Sequence, residues 1–499
     1  MQKVLSVETM RYSDAQTIGS GVPSKELMLR AGRGIAQSHA WKGPVAIVCG
    51  SGNNAGDGYV LALCLHEKNI PCTLFLLSDR FSEDGRFYYE KCLQKGIEIQ
   101  YFTENTAFFG YSEVVDCILG TGFCGAASGL VATAIQRINE SSAFVISADI
   151  NSGLNGDNGR SSLCVHSDLT ASVGFYKSGH FLNQAKDVIG SLCNLDIGID
   201  LYGDCAYLVE ERDFAPIFPR RMQNSHKGSY GYVAVMGGCR EYSGAAKLAN
   251  LSASALRAGC GVATLIVPES IADSVSPYLL ESTLATIPDE KGHMRFDPER
   301  LDAALNGKKA LAVGMGWGAS PHNAPILEHI LKNYSLSLVI DADGLNTLAT
   351  MDKSLLRRTN CSVLLTPHLK EFERLSGYSM EEIQGDPITC AKTFAKEYGV
   401  CLLLKGACTL VTDGDEMLLV NRGCAGMATA GSGDVLSGIL AGLLGYSPVN
   451  PLTAACGAYL AGLAGELAEA EKNPISMTAS DTVGKIPEAV LRILKVISA

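Results

Sequence analysis

A chain of 499 residues is too long for one hydrophobic core, since cores stop growing near ~250–300 residues, so two domains are expected. A composition that is 47% hydrophobic and 19% charged excludes a disordered protein, and 53 glycines against 2 tryptophans point to the tight turns of α/β enzymes. A net charge of −11 excludes a general nucleic-acid binder, which needs a basic face, and leaves anionic ligands to local groups such as loop amides.

The 17 cysteines are odd in number and scattered, with no C-x-x-C pair, which argues against zinc ribbons and thioredoxin-like motifs and fits reduced thiols in a cytoplasmic protein. Residues 1–11 are polar and charged and do not read as a signal peptide.

In chain order, residues 10–40 read as helical, with Leu27, Leu29, Ala31, Ile35 and Ala36 apolar. The strand Val45–Cys49 runs into Gly50-Ser51-Gly52-Asn53-Asn54-Ala55-Gly56-Asp57-Gly58, and residues 59–68 read as the helix this loop opens. Residues 73–77, 114–119 and 144–150 read as strands, the last two ending in Gly120-Thr121-Gly122 and Asn151-Ser152-Gly153. Strands alternating with helices predict a doubly wound parallel sheet with helices on both faces and ligands at the strand carboxyl ends. The pattern breaks at residues 205–225, where Glu210-Glu211-Arg212-Asp213 is followed by Pro216 and Pro219, so domains 1–212 and 213–499 are expected.

A second α/β series follows. Tyr232–Met236, residues 263–267, Ala310–Val313, residues 336–340, Ser362–Leu365 and Cys401–Leu404 read as strands, and residues 245–258 as a helix of small residues. Residues 435–465 carry no charge and are long enough to span a bilayer. However, Ser447-Pro448-Val449-Asn450-Pro451 cuts them into two buried helices, and no membrane segment is expected. Ala/Gly-rich helix faces can pack between subunits, and a homo-oligomer is expected.

Residues 53–57 follow a strand and precede a helix, where amides and the helix dipole favour a phosphate. The spacing is neither a Rossmann fingerprint nor a Walker A loop, and Asn, Gly and Asp are common in any turn. Asn54, Asp116 and Ser152 are oxygen donors suited to a hard cation, and Asp149 with Lys177 is a candidate acid/base pair. The runs SGNNAGDG, DCILGTG, DINSGLNGDNG and GFYKSG resemble the NAD(P)H-hydrate epimerase family, whose domain covers about residues 1–212. That resemblance implies a Rossmann-like domain that interconverts the R and S forms of hydrated NADH or NADPH. It implies that Asn53, Asn54, Ala55, Gly56 and Asp57, with Gly120, Thr121, Gly122, Phe123, Cys124, Gly125 and Ala126, hold pyrophosphate and ribose. It further implies potassium on Asn54, Asp116 and Ser152, and Asp149 against the hydrated ring. The chain departs at Ala55, where the family usually has Gly, and at Asn151, where it usually has Pro.

Thr429-Ala430-Gly431-Ser432-Gly433-Asp434 opens an apolar helix, so its amides can form an anion hole beside Asp434, which can accept a proton from a hydroxyl attacking a phosphoryl group. The plainer alternative is an ordinary N-cap by Ser432 or Asp434. Lys405-Gly406-Ala407-Cys408-Thr409, Thr366-Pro367-His368 and Asp341-Ala342-Asp343 follow strands, and the two aspartates can order Mg²⁺ through water. The runs SHKGSYGYVAVMGG, YSGAAKLA, ALRAGCGVATL, VGMGWG, DADGLN, TPHLKEF, KGACT and TAGSGDVLSG resemble the ribokinase-like superfamily, and most closely its ADP- or ATP-dependent NAD(P)H-hydrate dehydratase branch. By that resemblance Lys405, Gly406, Ala407, Cys408, Thr409 and Gly433 bind ADP or ATP, and Ala245, Gly316, His368 and Asp434 face the hydrated dinucleotide. Met315 and Ala246 stand where the family commonly has Pro.

The leading expectation is a two-domain repair enzyme. A small-molecule kinase is the rival, and a non-catalytic N-terminal binding module is a third reading.

Overall fold

The computed structural model describes residues 1–251 and 257–498, in two compact units: residues 2–206, and the chain from Tyr207 onward together with Met1.

In the first unit a seven-stranded parallel sheet runs in the order Glu98–Tyr101, Cys72–Leu76, Val45–Cys49, Glu113–Cys117, Phe144–Ala148, Ser167–Val173, Ile189–Leu195. Val45–Cys49 comes first in the chain and lies inside the sheet, so later strands are added on both sides of it. That reversal leaves a crevice at the carboxyl ends of Val45–Cys49 and Glu113–Cys117. All five residues of Val45–Cys49 are buried because helices cover both faces. Val45, Ile47 and Cys49 pack with Ile35, Tyr59 and Leu65, while Ala46 and Val48 pack with Phe75, Val114 and Ile135. At the crevice a Cβ on Gly50 would sit 2.1 Å from the Ile118 carbonyl oxygen, so only glycine lets the two loops pass this closely.

The helix expected over 10–40 is two helices, Val7–Gly19 and Ser24–Ser38, because Gly21 takes φ 111° and Pro23 ends any continuous ladder. The helix after the glycine loop is Asn53–Glu67, so it begins six residues before the expected start.

In the second unit the parallel order is Thr283–Ile287, Val262–Pro268, Tyr232–Met236, Ala310–Val313, Ser337–Ile340, Ser362–Leu365, Cys401–Leu404. Antiparallel Thr409–Thr412 and Met417–Val420 extend it, an extension not expected from the sequence. Tyr232–Met236 is again the first of these strands and again internal, so a second crevice opens beside Ala310–Val313. Residues 207–212, expected with the first domain, belong to this unit. The Glu211 carboxylate accepts 2.8 and 2.5 Å hydrogen bonds from Arg422 and Tyr459.

The helix expected over 245–258 is Ser243–Asn250, and residues 252–256 lie outside the described residues. The uncharged stretch forms two helices, Ser432–Leu444 and Pro451–Lys472, the second capped by Asn450 Oδ1 on the Thr453 amide at 2.8 Å. Both are buried in the core of the unit, so these Ala/Gly-rich faces pack internally and are not available between subunits. No described helix is long and apolar enough to cross a membrane.

Ala342, between Ser337–Ile340 and the helix Asp343–Thr350, holds φ 49° and ψ −120°, a conformation that suits glycine and strains alanine by about 1–3 kcal/mol. Ala342→Gly should therefore stabilise the second unit by about 1 kcal/mol after the extra chain entropy is counted. Urea unfolding followed by fluorescence checks this, and a lowered midpoint would count against the strain.

Candidate functional site

In the first unit the crevice is a cleft of about 620 Å³. Ser51, Gly52, Asn53, Asn54 and Asp57 line it from one loop and helix, and Gly120, Thr121, Gly122 and Phe123 from the next strand end, with Asp149 and Lys177. The helix Asn53–Glu67 starts from Gly52 with no side-chain cap, so its first amides have no side-chain partner and form a ready anion site. Five expected binding residues fall outside the lining. Ala55 is buried in the core, Gly56 makes room for Met28, and Cys124, Gly125 and Ala126 continue past Phe123 without reaching the cleft.

Asn54, Asp116 and Ser152 meet around one peptide. Asn54 Nδ2 donates to the Leu119 carbonyl at 2.9 Å and the Leu119 amide donates to Ser152 Oγ at 2.8 Å. Asp116 is fully buried and accepts from the Ile118 amide, Ser147 Oγ, the Ser152 amide and Ser152 Oγ at 3.2, 2.9, 2.8 and 2.5 Å. Burial pushes its carboxyl up despite the Ser152 hydrogen bonds. Asn54 Oδ1 is buried without a hydrogen-bond partner. An orphaned oxygen beside a buried carboxylate that lacks a counter-charge among the described residues is the donor set of a hard monovalent or divalent cation, so these residues fit one.

Asp149 sits at the end of Phe144–Ala148 with φ 65°, unusual for a residue with a side chain. Its carboxylate accepts a very short hydrogen bond from the Lys177 ammonium, which is itself buried and also donates to the Val173 carbonyl at 2.7 Å. Burial works against the charge on Asp149, but the Lys177 ammonium prevails and holds the carboxyl below its usual range. His180 was not foreseen. Its Nδ1 accepts from the Lys177 amide at 3.1 Å, so Nε2 carries the proton and donates to the Asp149 carbonyl at 2.8 Å. Burial, then the adjacent Lys177, push this imidazole down to about 4, so it stays neutral and holds the aspartate backbone in its left-handed conformation. The signal was present in the sequence as a histidine three residues after Lys177. Asp57, expected among the residues that hold pyrophosphate and ribose, lines the cleft; burial, then the nearby Asp149, raise its carboxyl well above the usual range.

Asn151 stands away from this chemistry. Its amide nitrogen donates to Val165 O, Ser167 Oγ and Val188 O at 2.8, 3.0 and 3.0 Å, and its oxygen accepts from Thr170 Oγ1 at 2.6 Å. It is a fully satisfied buried amide that ties the loop to neighbouring strands, so the Asp149 geometry is kept without proline.

In the second unit the helix Ser432–Leu444 starts from Gly431, whose φ of 98° is left-handed, again without a side-chain cap. The plainer reading of Ser432 or Asp434 as an N-cap therefore fails, and Ser432 Oγ is buried with no hydrogen-bond partner. Gly433 abuts the next strand ends: a Cβ there would lie 3.5 Å from Lys405 Nζ and 3.7 Å from Asp341 Oδ2. Burial, then repulsion by Asp341, push the Asp434 carboxyl up to about 7.

The strand-end carboxylates and Lys405 are drawn together. Asp341, buried, pairs one oxygen with Lys405 Nζ at 2.8 Å and the other with Ser437 Oγ at 2.7 Å, and Asp343 accepts from the Gly318 amide at 2.8 Å and Asn346 Nδ2 at 3.3 Å. Each of these carboxylate oxygens thus has one protein partner that helps to shape the loops. The Lys405 ammonium likewise faces Asp341, with Glu371 at 3.9 Å; burial works against its charge but these carboxylates raise it above its usual range. His368 caps the helix Leu369–Ser376, its Nδ1 accepting from the Lys370 and Glu371 amides at 3.1 and 3.2 Å, while its ring is half exposed. At the crevice itself Ala245 and Gly316 touch: a Cβ on Gly316 would lie 2.8 Å from that of Ala245. Met315 and Ala246 are buried core residues.

Comparison with known proteins follows the same division. Residues 233–488 match the family described as NAD(P)H-hydrate dehydratase, and residues 24–179 the family described as YjeF-related protein N-terminus. The chain is 34% identical over 491 residues to a bifunctional NAD(P)H-hydrate repair enzyme of Moorella thermoacetica, covering 93% of this chain and 92% of that one. It is 34% identical over 492 residues to the corresponding enzyme of Archaeoglobus fulgidus, covering 98% of each. The second unit shares its fold with the ADP/ATP-dependent NAD(P)H-hydrate dehydratase of Bacillus subtilis co-crystallised with ATP and Mg²⁺. The TM-score is 0.50 at 24% identity, over 58% of this chain and 99% of that one. Over nearly its whole length the chain belongs to the family of bifunctional NAD(P)H-hydrate repair enzymes.

Proposed function

We propose that the first unit interconverts the R and S hydrates of NADH and NADPH, and that the second unit dehydrates the S form in a reaction coupled to ADP or ATP. The observation that carries this reading is the repetition of one device. In each unit a helix starts from a glycine with no side-chain cap, and a carboxylate with perturbed acidity lies in the same cleft or in the helix's first turn. The full-length match to bifunctional relatives favours this over a small-molecule kinase with a non-catalytic first module. None of the 17 cysteines is in a disulfide, which suits the reducing cytoplasm in which we place it.

In the first unit Asn53, Asn54 and the Gly120–Gly122 loop hold the pyrophosphate and ribose through amides. Asn54, Asp116 and Ser152 would hold a potassium ion, which supplies positive charge beside the substrate phosphates. Asp149, kept ionised by Lys177 and positioned by His180, exchanges a proton with the hydroxyl on the hydrated ring carbon as water leaves and returns.

In the second unit hydroxide is a poor leaving group and phosphate a good one. Asp434 takes the proton from the ring hydroxyl as that oxygen attacks the terminal phosphorus of the nucleotide. The first amides of Ser432–Leu444 receive the charge that spreads over the phosphoryl oxygens. Mg²⁺, when bound with the nucleotide, neutralises the remaining phosphate charge. Phosphate then departs, and the ring nitrogen lone pair restores the reduced nicotinamide.

Three outcomes test the scheme. Asp149→Ala should abolish R-to-S interconversion and leave dehydration of the S form intact, as followed by separating the two isomers; interconversion at the parental rate would rule out its role. Asp434→Asn should remove nucleotide turnover by at least about 10²-fold with dinucleotide binding retained, and turnover within about twofold of the parent would refute the assignment. Because Asp434 acts as a base with its carboxyl near 7, protonation disables it, so kcat/KM for dehydration should fall tenfold per pH unit below about pH 7 and level off above it. A profile flat from pH 5 to pH 8 would show that another group takes the proton.

A further inference from the structure

The loop between Tyr232–Met236 and Ser243–Asn250 carries a second cluster, one that the reactions above do not use. Cys239 Sγ, a Glu241 carboxylate oxygen and a His293 ring nitrogen all lie within 4.8 Å of one another. We propose that these three side chains form a binding site for a borderline-soft divalent cation of the Zn²⁺ class.

The donor set is the first reason. Thiolate, imidazole and carboxylate are the groups that bind zinc, and the combination of sulfur and nitrogen disfavours Mg²⁺ and Ca²⁺. The second reason is the histidine. His293 Nδ1 lies 3.1 Å from the Trp317 carbonyl oxygen, which can only accept, so Nδ1 carries the proton. The Nε2 lone pair is then left facing Glu241, 3.7 Å away, as in metal sites where a backbone carbonyl fixes the tautomer of the ligating ring. The third reason is space. A Cβ on Gly318 would lie 2.8 Å from the His293 ring and 3.2 Å from Cys239 Sγ, so the bare glycine leaves room beside both donors.

The three ligands come from segments already tied together. The Gly238 amide donates to the Met315 carbonyl at 2.8 Å and the Arg240 amide to the Gly292 carbonyl at 3.1 Å. The hairpin that presents His293 pairs Asp289 with Met294 and Glu290 with His293, and its turn is closed by the Gly292 amide on Asp289 at 3.0 Å. Little rearrangement is needed for binding. As the sulfur–metal bond forms the Cys239 S–H bond breaks and its proton passes to solvent; thiolate and carboxylate together balance two positive charges. Cys239 is buried and Glu241 exposed, so the cation sits at the surface with a coordination position open to water. Its occupancy fixes the loop that leads into Ala245. The site itself does not depend on reading this unit as a dehydratase.

The test uses the full chain, freed of metal by a chelator and titrated with Zn²⁺ alone against a chromophoric competitor, with Co²⁺ as spectroscopic probe. One equivalent should bind, and the Co²⁺ form should show a sulfur-to-metal charge-transfer band. Cys239→Ser and His293→Gln should each weaken binding by at least about 100-fold, since losing an outer partner of a ligand alone costs ~10–100-fold. Cys239→Ser should also lose the band, and Cys124→Ser should keep both band and affinity. Glu241→Gln, at an exposed position that does not threaten folding, should weaken binding by about tenfold or more. Absence of a one-equivalent zinc complex overturns the proposal, leaving a His293–Glu241 ion pair over a buried thiol; so does parental affinity in Cys239→Ser or Glu241→Gln.

Discussion

An α-helix leaves its first amides without partners, and most proteins satisfy them with a side chain at the N-cap. Neither Asn53–Glu67 nor Ser432–Leu444 does so. Asn53–Glu67 begins from Gly52 just after the parallel strand Val45–Cys49, whereas Ser432–Leu444 begins from Gly431 after a longer connection from the strand Met417–Val420. The Ala55 amide turns back onto the Gly52 carbonyl at 3.2 Å, and first-turn donors without a protein partner are open to water or an anion that small loop residues let come close. A larger residue at Gly50 would strike the Ile118 carbonyl.

With the anion cradle common to both halves, the difference in chemistry lies in how each half treats its carboxylate. Asp149 has a buried ammonium as partner and stays ionised. A buried pair of this kind adds little net stability, because desolvation offsets attraction, but losing one member leaves an unpaired buried charge at a cost of about 3–5 kcal/mol. It therefore constrains geometry more than it strengthens the fold, and His180 completes that constraint through the backbone. Asp434 has the opposite surroundings. The nearby ammonium, Lys405, is engaged by Asp341, so what Asp434 meets first is burial and then negative charge. A carboxyl near 7 is a far stronger base than one held low, as suits removal of a proton from an alcohol.

Most strands could be read directly from the sequence because parallel strands buried on both faces are continuous apolar runs, as in Val45–Cys49, Ala310–Val313 and Cys401–Leu404. Ser167–Val173 and Ile189–Leu195 escaped notice because they are rich in Ser, Thr, Asn and Gly and lie toward one edge of the sheet. The helix break at Pro23 was legible and was passed over in favour of the apolar spacing around it. Of the first site, the cation donors and the Asp149–Lys177 pair were recoverable because they sit at strand ends. The backbone role of His180 was not, since it depends on a turn bringing its ring under Asp149. In the second site, pattern reading assigned Asp341 to metal and Lys405 to nucleotide. Only the fold shows that residues 64 positions apart neutralise each other.

Asn151 shows how a departure from a family pattern should be weighed. Proline at that position would fix φ and remove one amide donor. Asparagine reaches a comparable rigidity by another route: its two amide hydrogens are shared among Val165 O, Ser167 Oγ and Val188 O, and its oxygen accepts from Thr170 Oγ1. A buried amide whose nitrogen and oxygen are both hydrogen-bonded resists rotation, because any movement would break several hydrogen bonds in a dry environment at about 1–3 kcal/mol for each group left unsatisfied. The peptide after Asp149 is thus held from the side-chain side, and the chemistry of the preceding carboxylate does not require proline.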